Sequence, residues 1–215
     1  MAEIIVVKKP DWVSWDTIHD VLEEAHKVNK KKGFEMINSH LTGEKIKNKV
    51  GEGICAVALD GDKVVGTSSV SILKGDRWYS KGKKVAHLCL TGILKRYQGC
   101  GIKEMLNKFC WDYAKEIDAY IVQANTAEMN ITVRKEKGDM IDVCYEVFPK
   151  TDYYSVFFAY WFNGCPYPLW YCRFRCKLSE IYIKTRYKPR KVERFKTVEL
   201  AVRAKNKIKR IFKKS

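Results

Sequence analysis

Between Val85 and Tyr113 the chain reads as an apolar strand, a turn with two glycines and an amphipathic helix, and this unit constrains the fold more than any other stretch. The strand runs from Val85 to about Ile93. The turn holds Arg96, Tyr97, Gln98, Gly99, Cys100 and Gly101, and the helix then sets Ile102, Met105, Leu106, Phe109, Cys110 and Tyr113 on one face. Glycines let the backbone turn tightly, so several N–H groups face outward where the helix begins. Such an end binds phosphate, because the helix dipole adds attraction and Arg96 and Lys103 supply full charges. Two familiar phosphate loops are excluded by residue type. A Walker A loop needs Gly-Lys-Ser/Thr, and here Ile102-Lys103-Glu104 follows Gly101; a dinucleotide fingerprint needs a small residue where Glu104 stands.

The elements around that unit follow from the same kind of pattern. Residues 3–7 form a short strand, and Ser14 caps a helix whose Trp15, Ile18, Val21, Leu22, Ala25 and Val28 recur at helical spacing until Lys32-Gly33. A second helical stretch spans Thr42 to Val50 and closes at Gly51. Gly53 to Leu59 and Lys63 to Leu73 flank Asp60-Gly61-Asp62, an Asp-Gly hairpin signal, and so pair antiparallel. Beyond the glycine turn and its helix come a strand over 119–124, a short helix over 130–137 and a strand over 140–148 stopped by Pro149. This mixed order predicts one α/β domain over residues 1–190 rather than a bundle or a sandwich.

Residues 153–182 carry 12 of the 27 aromatic side chains, which sets this segment apart as either a core cover or an aromatic-lined pocket. Tyr154, Phe157, Phe158, Trp161 and Phe162 have helical spacing, yet Asn163-Gly164 is also a hairpin signal, so helix and strand both stay open. Leu169 to Lys177 reads as a strand, with Pro166 and Pro168 suggesting an edge. Such a segment beside an edge could also bury itself against a second copy, giving a homodimer. The last 25 residues, 191–215, read as a basic amphipathic helix with Val198, Ala201, Ile208, Ile211 and Phe212 on one side.

Charge is concentrated in that tail. Lys184 to Ser215 holds 14 basic and 2 acidic residues, a net +12 out of +16 for the whole chain, so an RNA, acidic-protein or anionic-lipid contact belongs there or the tail is a solvated helix. The longest apolar run, Val156 to Phe162, has seven residues, far short of a membrane span, and residues 1–9 lack a signal-peptide apolar region. Eight cysteines without CxxC or zinc spacing read as reduced core thiols of a cytoplasmic protein, with no metal site.

Arg96, Gly99 and Gly101, preceded by the apolar strand and followed by the amphipathic helix, resemble motif A of the GNAT superfamily, Gln/Arg-x-x-Gly-x-Gly/Ala. Val64-Val65-Gly66 stands where that family has its third strand, and the element order is similar from residue 3 to about 148. The resemblance implies a mixed, mostly antiparallel sheet flanked by helices. It also implies an N-acyltransferase that moves an acetyl or other acyl group from coenzyme A to a primary amine, by direct attack in a ternary complex and without a metal. Backbone amides of Gln98, Gly99, Cys100, Gly101, Ile102 and Lys103 would hold the pyrophosphate, and an amide near Gly92 or Ile93 would polarise the thioester carbonyl.

At the position of the family's common glutamate base stands His87, which on simple strand alternation shares a face with Cys89, Thr91 and Ile93; its other reading is a satisfied core histidine. The family's tyrosine acid falls on Arg134, so Arg134 is expected to bind phosphate instead. Tyr145 or Tyr153 is then expected to serve as acid, or the thiolate leaves unaided. Asn125 and Asn130 both match the family's asparagine. A different class of reading keeps the scaffold as a binding protein for an acyl-CoA or an acidic macromolecule, with the tail as its working part.

Overall fold

In a computed structural model the chain is described over residues 3–31, 41–128, 130, 137–148 and 153–187. The elements are β1 (Ile4–Lys8), α1 (Trp15–Lys31), α2 (Gly43–Val50), β2 (Ile54–Asp60), β3 (Lys63–Lys74), β4 (Lys84–Ile93), α3 (Ile102–Glu116), β5 (Ile121–Ala127), β6 (Ile141–Phe148), β7 (Tyr153–Trp161) and α4 (Leu169–Arg186). They build a seven-stranded sheet in the order β1-β2-β3-β4-β5-β7-β6. All neighbours are antiparallel except β4 and β5, which run parallel with α3 as their crossover.

Local chemistry explains most of these boundaries. Ser14 Oγ accepts the Thr17 N–H at 3.0 Å, the cap read from the sequence, and Thr42 Oγ1 accepts the Lys45 N–H at 3.4 Å, so the N-termini of α1 and α2 are both capped by side chains. Asp60 pairs with Lys63 across Gly61-Asp62, the hairpin read from the Asp-Gly pair. The basic C-terminal helix and the short helix expected over 130–137 fall mainly outside the described residues, Asn130 and Lys137 excepted.

The sheet is covered on both faces. Helices α1 and α2 bury Ile18, Leu22 and Ile46 against Cys55, Val57 and Leu59 of β2. On the other face α3 buries Ile102, Leu106, Cys110 and Ala114 against Ala56 and Ala58, and α4 adds Cys176 beside Tyr145 and Tyr154. Met105, expected in that apolar stripe, is 39% exposed. At the β5-β7-β6 end no helix among the described residues covers the first face. There the loop after β3 folds in, burying Tyr79 against Val85, Ile121 and Phe157.

Two expectations for the aromatic segment resolve or change here. Residues 153–161 are a strand, and its doubly apolar character follows from its place between β5 and β6: Tyr154, Val156 and Phe158 face the α3 side while Phe157, Ala159 and Trp161 face the Tyr79 side. Leu169 to Lys177 is not an edge strand but the first half of α4. Pro168 starts the helix, accepting the Tyr171 and Cys172 N–H groups at 2.9 and 3.2 Å. Cys172, Cys176, Ser179 and Ile183 turn toward the sheet at helical spacing, and Tyr171 packs on Trp78 and Tyr167; most of the larger apolar residues lie outside that row and hid the period.

Glycine is required where strands and loops approach closely. A Cβ on Gly53 would lie 1.8 Å from the Val70 carbonyl oxygen, a backbone atom that cannot swing aside. Gly53→Ala is therefore expected to cost about 3 kcal/mol, read as a drop of roughly 5–10 °C in the thermal midpoint. An unchanged melt would mean that the β2–β3 register tolerates a shift there.

Candidate active site

Leu90 adopts φ 54°, a left-handed conformation unusual for a branched side chain, and the β3–β4 register slips opposite it, between Thr67 and Ser69. The slip breaks the alternation expected along β4. His87 lies beside Phe157, and Cys89 packs with the α1–α2 cluster; Thr91 Oγ1 instead meets Ser68 Oγ at 2.9 Å and Ile93 packs on the α3 side. His87 and Cys89 thus share a face that Thr91 and Ile93 do not.

The same slip opens the sheet. β4 and β5 pair only from Val85–Ile121 to Leu88–Ala124, although β4 runs on to Ile93 and β5 to Ala127. A cleft of about 290 Å³ lies at this divergence, between His26, Lys49, His87 and Cys89 toward one face and Lys103, Asn107 and Trp111 of α3 toward the other. Asn125, Asn130 and Tyr153 close it from the β5 side. Asn125 is held by its Nδ2–H to Ser155 Oγ, 2.9 Å.

The ladder determines which amides face the opening. Leu94 donates its N–H to the Val65 carbonyl at 2.9 Å, so the next pair, Gly66–Ile93, is the one whose polar groups point away from each other. Ile93 therefore turns its N–H and C=O toward the side β5 has left, and its carbonyl accepts Gln98 Nε2 at 3.0 Å. Gly92 turns its amide to β3, and its missing Cβ makes room for Leu22 and Ala25 of α1, each of which would lie 3.1 Å away.

Past Ile93 a single 3-10 turn over Lys95–Tyr97 leads to Gly99 (φ 84°) and Gly101 (φ 75°), and the first helical bond of α3 runs from Met105 N–H to Gly101 C=O at 3.2 Å. The N–H groups of the helix's first turn have no carbonyl one turn back within their own helix. A Cβ at Gly99 or Gly101 would meet nothing within 4 Å, so the concave side of the turn is open. Gln98 differs from the expectation, since its own N–H is bonded to the Lys95 carbonyl at 3.3 Å. Arg96 also folds back, its Nη2 donating to Tyr97 Oη at 2.8 Å while Tyr97 donates to Asp60 Oδ2 at 2.7 Å. Cys100 is exposed on the turn, and Lys103 reaches the cleft.

Two histidines reach the cleft with different electrostatics. His87 Nδ1 lies 3.2 Å from Gln123 Nε2, while Gln123 Oε1 accepts the Tyr79 hydroxyl at 2.9 Å. That chain makes Nδ1 the acceptor and leaves the proton on Nε2. Burial first, then the charges of Lys49 and Arg77, push the His87 pKa down to about 3, so the ring is neutral. His26, which the sequence reading passed over as one polar position on α1, sits 3.1 Å from the Thr91 carbonyl. A carbonyl only accepts, so Nε2 carries the proton and the ring's lone pair is on Nδ1. Burial lowers its pKa below 6.5, opposed by the Thr91 bond and by Glu23.

The remaining expected residues divide clearly. Tyr145 is not at the cleft; it lies in a groove beneath α4 with Asp142, Cys176 and Glu180, because one face of β6 points there. Tyr153, next to the turn of the β6–β7 hairpin, lines the cleft instead. Arg134 lies outside the described residues. Among the described residues no group of three or more metal-ligating side chains comes together, and no helix is long and apolar enough to cross a membrane.

The profile of the acetyltransferase (GNAT) family matches residues 15–135, which takes in α1, both strands of the cleft and the glycine turn. No curated protein sequence matches the chain closely enough to count as a relative. Among solved structures, a GNAT-family acetyltransferase from Staphylococcus aureus superposes with TM-score 0.57 at 13% identity, covering 73% of this chain and 98% of its own. NAA60 of Arabidopsis thaliana, solved with a bisubstrate analogue, gives 0.55 at 14% identity over 75% of this chain and 99% of that one. The ribosomal-protein-S18-alanine N-acetyltransferase of Escherichia coli gives 0.54 at 13% identity over 73% and 92%. At these identities the likeness is one of fold.

Proposed function

The chain belongs to the acetyltransferase (GNAT) family, and we propose that it transfers an acetyl group from coenzyme A to a primary amine by direct attack within the cleft. The observation that carries this reading is the parting of β4 from β5 beside the open N-terminal turn of α3. A thioester arm can lie in that gap with its diphosphate on the turn. There the N–H groups of Gly99 to Lys103 and the positive end of the helix attract anionic oxygens.

Each remaining group has a role set by its surroundings. Ile93 N–H faces the gap and stabilises the oxyanion that forms when the amine attacks the thioester carbonyl. The attacking amine must first lose a proton. We assign that proton to Nδ1 of His26, whose Nε2–H is fixed on the Thr91 carbonyl, whereas His87, pushed down to about 3, is too weak a base. His87 then serves as a fixed Nε2–H donor at the acceptor side, held by Gln123 and Tyr79. As the new C–N bond forms and the C–S bond breaks, the Tyr153 hydroxyl gives its proton to the departing thiolate.

The test is release of free thiol from acetyl-CoA in the presence of a panel of primary amines. Tyr153→Phe is expected to lower kcat about tenfold with acetyl-CoA affinity unchanged, and Tyr145→Phe to leave both alone. Retained acetyl-CoA binding with no thiol release across the panel would replace the transferase by a binding protein.

A further inference from the structure

Helix α4 presents a second surface that acyl transfer does not use. Six of the ten exposed large apolar side chains among the described residues lie on this helix. At 3.6 residues per turn, Trp170, Phe174, Leu178, Ile181 and Tyr182 fall within an arc of about 120°, opposite the row of Cys172, Cys176 and Ile183 that faces the sheet. Trp170 is 68% exposed and Phe174 53%. Basic residues border the arc on both sides, Arg173 and Lys177 along one margin and Arg175 and Arg186 along the other; Lys184 is instead half-buried and bonded to Glu128 and Glu180. The single acidic residue of the helix, Glu180, is bonded to Lys177 at 2.8 Å and Lys184 at 2.7 Å, so it adds no free negative charge to that margin.

We infer that this face lies on an anionic lipid surface, with the apolar arc in the acyl boundary and the two basic margins at the headgroup phosphates. Charge selects this occupant over the others. A second copy docked through the same helix would set four basic residues against four, and the chain's own C-terminal segment, carrying most of a net +12 from Lys184 onward, has the same sign. A bilayer with anionic headgroups takes both the margins and the tail. An amphipathic helix with tryptophan and tyrosine at its apolar edge, followed by a polybasic stretch, supplies the two signals that stable surface attachment needs. The helix lies on the membrane rather than across it, since its sheet-facing row remains packed on β6.

Flotation of the full chain with vesicles of equal parts phosphatidylcholine and phosphatidylglycerol tests this, with pure phosphatidylcholine vesicles as the neutral arm. The chain is expected to float with the anionic vesicles, to be released as salt is raised, and to stay behind with the neutral ones. The double variant Trp170→Ser with Phe174→Ser is expected to lose about tenfold or more in partitioning, while acetyl-CoA binding and the thermal midpoint stay unchanged. Leu178→Glu, also at an exposed position, gives the same loss by an independent substitution. Absence of wild-type flotation on anionic vesicles would overturn the inference, as would full flotation of both variants, which would leave the tail alone responsible. A dimer in solution that the same substitutions dissociate would assign the face to a second copy.

Discussion

His26→Ala is expected to lower kcat/KM for the amine by about 100-fold or more while leaving the Kd for acetyl-CoA within about twofold of wild type. The split follows from position: His26 lines the cleft on the side away from α3, whereas the diphosphate cradle is made by the first turn of α3. The pH profile sharpens the test. Burial lowers the His26 pKa from 6.5, and a base acts only when deprotonated, so the rate should fall as pH drops through a midpoint below 6.5 and be insensitive to this group above it. The alanine variant should lose that acidic limb and keep only the dependence set by the amine's own protonation. His87 makes the contrast. With its pKa pushed down to about 3 it stays neutral throughout this range, so His87→Ala should change the amine KM and leave the acidic limb in place. A limb that disappears with His87 and survives without His26 would exchange the two assignments.

The difference between these histidines also marks where sequence pattern stops being informative. His87 was findable because it lies on an apolar strand six residues before Ile93, in a unit whose glycines announce themselves. His26 lies on the half-buried side of α1, and what gives it a role is a bond to Thr91, 65 residues away, which no local spacing encodes. The bulge itself is silent for a similar reason. Leu90 is an ordinary strand residue by type, and its positive φ is imposed by β3 slipping past β4, so simple alternation carried Thr91 and Ile93 to the wrong face.

Elements whose signals are chemical and local came through well: the Ser14 cap, the Asp60-Gly61-Asp62 hairpin and the Gly99–Gly101 turn. Segments dominated by aromatic residues did not. In β7 both faces are buried, so period two vanishes, and in α4 an outward apolar arc lies opposite the inward row of Cys172, Cys176 and Ile183, so the two together blur period 3.6. Choosing between Tyr145 and Tyr153 needed the β6–β7 pairing, which sets Tyr145 against Val156 in mid-ladder and Tyr153 against Phe148 beside the turn.

Gly101→Val is expected to weaken acetyl-CoA binding by about 10- to 100-fold, measured by calorimetry on the wild-type chain and the variant. Space is not the reason, because a Cβ there meets nothing within 4 Å. The cause is the backbone: Gly101 sits at φ 75° and ψ 0°, where an L side chain costs about 1–2 kcal/mol and a branched one resists further. The chain escapes that strain most easily by rotating the peptide at the start of α3, and this turns away the N–H groups that converge on the diphosphate. Gly82→Val provides the control. Gly82 has nearly the same φ, 72°, with the same open space around it, but lies in the loop between β3 and β4. Both variants should lose similar stability in a thermal melt, and only the Gly101 variant should lose affinity. Equal affinities for the two would mean that the turn's main-chain donors do not hold the carrier, and the family's mode of binding would then have to be sought elsewhere along the cleft.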